Sequence, residues 1–128
     1  TLDTPEKLRR YYDVMGPLYA RSHDAQKAGM ARDRGILSPE ALNRAFAPGG
    51  FLRRFDLRPE LKNITAPTLI IGGQHDWICA PEFSAEIHQL IPGSKLQIFE
   101  QSSHSIRADE PERLMAAIAN FIAGPPDQ

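Results

Sequence analysis

The 128 residues include one cysteine, Cys79, and no apolar run approaching the ~20 residues a membrane-spanning helix needs. A lone thiol excludes an internal disulfide and is compatible with a reducing compartment. Neither charge is in excess: 15 Lys and Arg stand against 16 Asp and Glu, a net charge of −1. Without a basic stripe, nucleic acid and anionic membrane are excluded as expected partners. No repeat or low-complexity segment occurs. Thr1-Leu2-Asp3-Thr4 has no initiator methionine and no basic-then-apolar leader pattern, so a cut, processed or incomplete chain is expected, with the cytoplasm as default location. The most informative absence is the Gly-x-Ser-x-Gly turn that presents a nucleophilic serine, which occurs nowhere in the chain.

What is present divides near residue 63. At 41% apolar, the chain is long enough for one modest domain. Its first part is helical and charged. Thr4-Pro5-Glu6 reads as an N-cap followed by proline at the first helical position, and Leu8, Tyr11, Tyr12, Met15, Leu18 and Tyr19 recur on one helical face. Gly16-Pro17 should kink or end that helix, because proline lacks the N–H and clashes with the preceding turn. Residues 21–35 read as a loop with some helix. Ser38-Pro39-Glu40 starts a second helix that Pro48-Gly49-Gly50 stops. Tyr11, Tyr12, Tyr19 and Phe46 read as packing residues, and the Arg53-Arg54 to Glu60 stretch as a solvated connector of mixed charge.

The second part reads β-α-β-α. Pro67 leads into a strand at about 68–72 whose unbroken apolar run suits burial on both faces. Pro81-Glu82 opens a helix that Pro92-Gly93 ends. A strand at about 95–100 follows. Asp109-x-x-Glu112 has the spacing of a capping box before a last helix bearing Leu114, Met115, Ile118, Phe121 and Ile122, closed by Gly124-Pro125-Pro126. Two parallel strands joined by a helix do not make a sheet that stands alone, so partner strands are expected from elsewhere.

Each of these strands runs into a polar loop. Gln74-His75-Asp76-Trp77 follows the first, and Ser102-Ser103-His104-Ser105 the second, placing His104 28 residues after Asp76. An acid and a histidine at neighbouring strand ends are two members of a nucleophile-base-acid triad. The imidazole titrates near working pH and can carry a proton from nucleophile to leaving group. A carboxylate fixes its tautomer and stabilises the transient imidazolium. Alone, Asp76 reads equally as a turn residue and His104 as a polar loop residue; the pairing makes the case. Trp77 is a substrate-pocket candidate or a plug at the sheet edge. The serines flanking His104 read as loop formers, His88 and His23 as surface residues, and Cys79 as a small buried apolar residue on the wrong loop to serve as nucleophile. His75, Asp76 and His104 lack zinc-like spacing, so no metal and no cofactor is expected.

The run Leu61-Lys62-Asn63-Ile64-Thr65-Ala66-Pro67-Thr68-Leu69-Ile70 through Gly73-Gln74-His75-Asp76 resembles the entry to the acid strand of α/β-hydrolases. Leu96 to Glu100, Ser103-His104-Ser105, Glu110-Pro111 and Phe121-Ile122 resemble that family's closing strand, histidine loop and last helix. The resemblance spans 61–123 and is similar in flavour to proline iminopeptidases and their esterase and amidase relatives. It implies an α/β fold: the C-terminal part of the hydrolase sheet, two parallel strands with helices over 61–128, preceded by a helical cap portion over 1–60. It implies that Asp76 is the triad acid and His104 the general base. Nucleophile and oxyanion-hole amides would lie before Thr1, in an N-terminal half that is the expected partner. No motif in 1–60 matches the acidic cap residues with which iminopeptidases receive a free amino terminus. The expected chemistry is hydrolysis of an ester or amide bond of a small molecule or short peptide. Two alternatives stay open: an aspartate nucleophile, as in epoxide hydrolases and dehalogenases, and a non-catalytic interaction module.

Overall fold

The computed structural model of the chain describes residues 2–33, 35 and 38–124; the Pro125-Pro126 stop lies outside them. In chain order come α1 (Pro5–Met15), α2 (Ala25–Asp33), α3 (Pro39–Phe46), β1 (Leu69–Gly73), α4 (Pro81–Leu90), β2 (Lys95–Phe99), α5 (Ile106–Asp109) and α6 (Pro111–Ala123). Short 3-10 turns cover Gly16–Leu18, Phe51–Arg53 and Arg58–Asn63. Among the described residues no helix is long and apolar enough to cross a membrane.

Local chemistry sets these bounds. The Thr4 hydroxyl accepts the Lys7 N–H at the start of α1, with Pro5 in the first turn, and α1 gives way to the 3-10 turn at Gly16. The Ser38 hydroxyl accepts the Ala41 N–H at the start of α3. Beyond α3, Gly49 takes φ 81°, a left-handed conformation that favours glycine.

The chain forms two compact units. The first comprises Thr1–Pro17 and His23–Leu57. In it Leu8 is the buried side chain of α1, and the Asn43 amide donates to the Leu2 carbonyl at 3.1 Å, tying α3 to the residues before α1.

The second unit comprises Leu18–Ser22 and Arg58–Gln128. Its centre is the parallel pair β1–β2, in register from Leu69 opposite Lys95 to Gly73 opposite Phe99. Helix α4 packs closely on one face, since a Cβ on Gly72 would come within 2.6 Å of the Ser84 hydroxyl. Phe99 is fully buried, with the Arg113 guanidinium 4.8 Å from its ring centre. The expected burial of β1 on both faces is only half realised: Ile70 is buried, whereas Leu69 and Ile71 are half-buried. Leu69, Leu96, Gln97, Ala117 and Phe121 line an open groove of about 500 Å³ between sheet and α6, which leaves that face partly uncovered. Among the described residues β1 pairs with β2 alone.

The capping-box reading of Asp109 is corrected. Glu110 occupies the N-cap of α6 without a side-chain cap bond, while Asp109 ends α5. The carboxylate of Asp109 is engaged elsewhere, by Ser22 and Ser103.

Candidate active site

The loops beyond β1 and β2 meet because the strands are parallel and in register. Both end on the same side, and the chain then knits the loops together. The Gln74 N–H donates to the Phe99 carbonyl and the His75 N–H to the Ser102 carbonyl, each at 2.9 Å. Gly73 makes the approach possible. A Cβ there would overlap the Ser103 carbonyl oxygen and lie 2.8 Å from that of Ser102.

On this frame Asp76 and His104 face one another, with His104 Nδ1 2.9 Å from Asp76 Oδ2. The Asp76 side chain is 8% exposed and that of His104 37%. The other carboxylate oxygen, Oδ1, accepts the Ile78 and Cys79 N–H groups, both at 2.9 Å. Burial by itself raises the Asp76 carboxyl. The Cys79 N–H, the His104 ring and the Ile78 N–H outweigh that effect and hold it below the ordinary value of 3.8. An ionised carboxylate only accepts hydrogen bonds, so it selects the His104 tautomer with the proton on Nδ1. Nε2 then presents a lone pair, and no described residue is recorded bonding it.

Around the pair, the Tyr19 ring stands edge-on to His104 at 5.5 Å and to Trp77 at 6.1 Å. Trp77 is half exposed, and its indole N–H donates to the Leu18 carbonyl at 3.0 Å. His75 contributes only backbone to this region; its side chain is exposed. His88 lies apart, half-buried in α4 with Nδ1 2.8 Å from the Ser94 hydroxyl, so it is no free surface residue. His23, also read as a surface residue, is half-buried in the first unit.

Cys79 is placed differently from its sequence reading. It is exposed, and its sulfur shares a cluster with an Asp76 oxygen and a His104 nitrogen, all within 4.8 Å of one another. That set, not the His75 set, has the geometry of three metal ligands. Burial, then the charge of Asp76, pushes the thiol pKa up, disfavouring the thiolate that a metal or an electrophile would need.

Sequence reading missed what anchors the histidine loop. Leu18 and Tyr19 reach it from the far end of the chain, Ser22 beside them bonds Asp109, and Asp109 and Glu110 grip it from α5 and its end. A serine that bonds an aspartate 87 positions away leaves no local pattern to read.

No protein-family model matches the chain. Among curated proteins it is 30% identical over 120 residues to the proline iminopeptidase PfmaB of Pestalotiopsis fici, covering 94% of this chain and 42% of that protein. It is 38% identical over 73 residues to the proline iminopeptidase of Heyndrickxia coagulans, covering 57% of this chain and 25% of that protein. Among solved structures, an esterase from Exiguobacterium antarcticum superposes with a TM-score of 0.72 at 28% identity, over 94% of this chain and 43% of that one. An α/β fold family hydrolase from Bacillus anthracis str. Sterne gives a TM-score of 0.74 at 23% identity, over 92% of this chain and 42% of that one. The chain thus spans less than half the length of the curated relatives and solved structures it matches most extensively. With a parallel strand pair, flanking helices and these relatives together, the chain belongs to the α/β-hydrolase superfamily and is similar to its proline iminopeptidases and esterases.

Proposed function

We propose that this chain supplies the acid and base of a serine hydrolase cleaving an ester or amide bond of a small molecule or short peptide. The observation that carries the reading is the 2.9 Å contact between His104 Nδ1 and Asp76 Oδ2, made by a carboxylate whose other oxygen is fixed by two backbone N–H groups. Asp76 holds the ring with the Nδ1 proton inward. His104 Nε2 accepts the proton of the attacking hydroxyl and later delivers it to the leaving alkoxide or amine. A water molecule, deprotonated by the same nitrogen, then releases the acyl group. Asp76 stabilises the imidazolium formed in each half-reaction.

The nucleophilic serine and the oxyanion-hole amides belong to an N-terminal half, the proposed partner of this chain. That half would also supply strands beside β1. Residues 1–60 are the corresponding portion of the helical cap, Trp77 a wall of the substrate pocket, and the setting a reducing one such as the cytoplasm. Relatives named as proline iminopeptidases and an esterase favour serine over an aspartate nucleophile.

A fluorophosphonate probe tests this on the full-length protein or the co-purifying assembly. The expected result is labelling of one serine outside residues 1–128, with Asp76→Asn lowering kcat on the order of 10⁴-fold because the wrong tautomer is then held. No labelling, or full activity in His104→Ala, would sink the proposal. In the first case an aspartate nucleophile becomes the better account, in the second a non-catalytic module.

A further inference from the structure

His104 is itself exposed and makes one side-chain hydrogen bond, yet a triad base must hold its ring to within a fraction of an ångström. The backbone on both sides of it is pinned. Just before it, the Ser103 N–H donates to Asp109 Oδ2 at 2.9 Å. Just after it, the Ser105 N–H donates to the Tyr19 carbonyl at 2.7 Å. These two anchors are themselves joined. Asp109 Oδ1 accepts both the N–H of Ser22, at 2.7 Å, and its hydroxyl, at 2.8 Å, and Ser22 lies three residues beyond Tyr19. The Ser22 hydroxyl also lies 2.8 Å from the Ala108 carbonyl. The five residues Leu18–Ser22 therefore form a strap closed over the histidine loop, with Asp109 as its buckle. One end of the strap also reaches the acid loop, where the Leu18 carbonyl accepts from Trp77 Nε1, and that carbonyl lies 3.1 Å from the Ser103 hydroxyl of the histidine loop.

Asp109 thus joins strap and histidine loop through a single charged group. Glu110 also grips this loop, at Gln101 N–H and the Ser102 hydroxyl, but makes no recorded bond to the strap. Burial would raise the Asp109 carboxyl, but the charge-assisted bonds from Ser103 and Ser22, with the nearby Arg21 N–H, outweigh it and hold it low.

We propose that Asp109, with Ser22, is a positioning residue: it closes the strap across the His104 loop and so keeps Nδ1 of His104 on Asp76. The hydrolytic consequence rests on the serine hydrolase reading; the positional one does not. Asp109 touches no reacting atom, so its loss should slow turnover without weakening substrate binding.

The test uses the full-length protein with Asp109→Asn, which keeps size and one oxygen but loses the charge and an acceptor, and Ser22→Ala as a milder second variant. Two readouts are taken: hydrolysis of p-nitrophenyl acetate, and the hydrogen-bonded Nδ1 proton of His104 in the proton NMR spectrum. Both variants should lower kcat roughly 10- to 100-fold with KM within about twofold of the parent. The Nδ1 proton signal should broaden or vanish in step. Ile70→Val, a core change in β1, serves as a destabilised control and should leave the signal and kcat intact. If both variants keep a sharp signal, the proposal is overturned, whatever happens to the rate. It is also overturned if Ile70→Val abolishes the signal equally, since general loosening then explains the effect. Loss of the signal in the variants of a parent that hydrolyses nothing would support the positional role and sink the hydrolase reading instead.

Discussion

At the scale of single residues, the site depends as much on an absent side chain as on those present. Gly73 ends β1 against the backbone of Ser102 and Ser103, and a Cβ there meets carbonyl oxygens, not a flexible side chain that can turn away. Gly73→Ala should therefore push the histidine loop off the end of β1. The expected cost is about 1–3 kcal/mol, the usual range for overpacking, read as a lower urea midpoint. Asp76 and His104 were legible in the sequence because each directly follows an apolar strand and their separation matches two neighbouring strand ends. Asp109 was misread for an equally physical reason. A carboxylate three positions before Glu112 has the spacing of a cap, but Ser22 and Ser103 offered it three donors, and those long-range partners prevailed over the local one.

At the scale of elements, several helix starts were written locally and were read. Thr4 and Ser38 cap their helices with side-chain oxygens, Pro5, Pro39, Pro81 and Pro111 stand in first helical turns, and Gly49 takes positive φ beyond α3. The β1 strand falls at Leu69–Gly73, one residue later than its apolar run predicts. Helix α2 was less visible, because its residues do not gather apolar side chains on one face; its Asp24 carboxylate caps the Lys27 N–H instead. The β2 strand ends on the residue that matters most to it. Phe99 is fully buried, stacked beneath Arg113, and its carbonyl accepts the N–H groups of Gln74 and Ser102. Phe99→Ala should remove about 3–5 kcal/mol from the second unit, measured by chemical denaturation, since the cavity opens where strand, helix α6 and histidine loop converge.

At the scale of the whole molecule, acid should loosen the site. Asp76 and Asp109 are both held below their ordinary value of 3.8 in the folded chain. A lowered folded pKa means the unfolded chain takes up protons first. Their contribution to stability is therefore complete above that value and lost as pH falls through the lower folded values. Denaturant midpoints followed below pH 3.8 should drop more steeply in the parent than in an Asp76→Asn, Asp109→Asn double variant. The division into two units could not be read from composition in its finer detail. Leu18–Ser22 belongs by contact to the second unit although the residues on either side of it belong to the first. That interleaving has an evolutionary consequence. A crossover that exchanged residues 1–57 as one cassette would carry off the strap with them and leave the recipient's histidine loop to a foreign fastening. Recombination in this lineage should therefore breed true only where the five strap residues travel with the core they clasp, or are already shared by both parents.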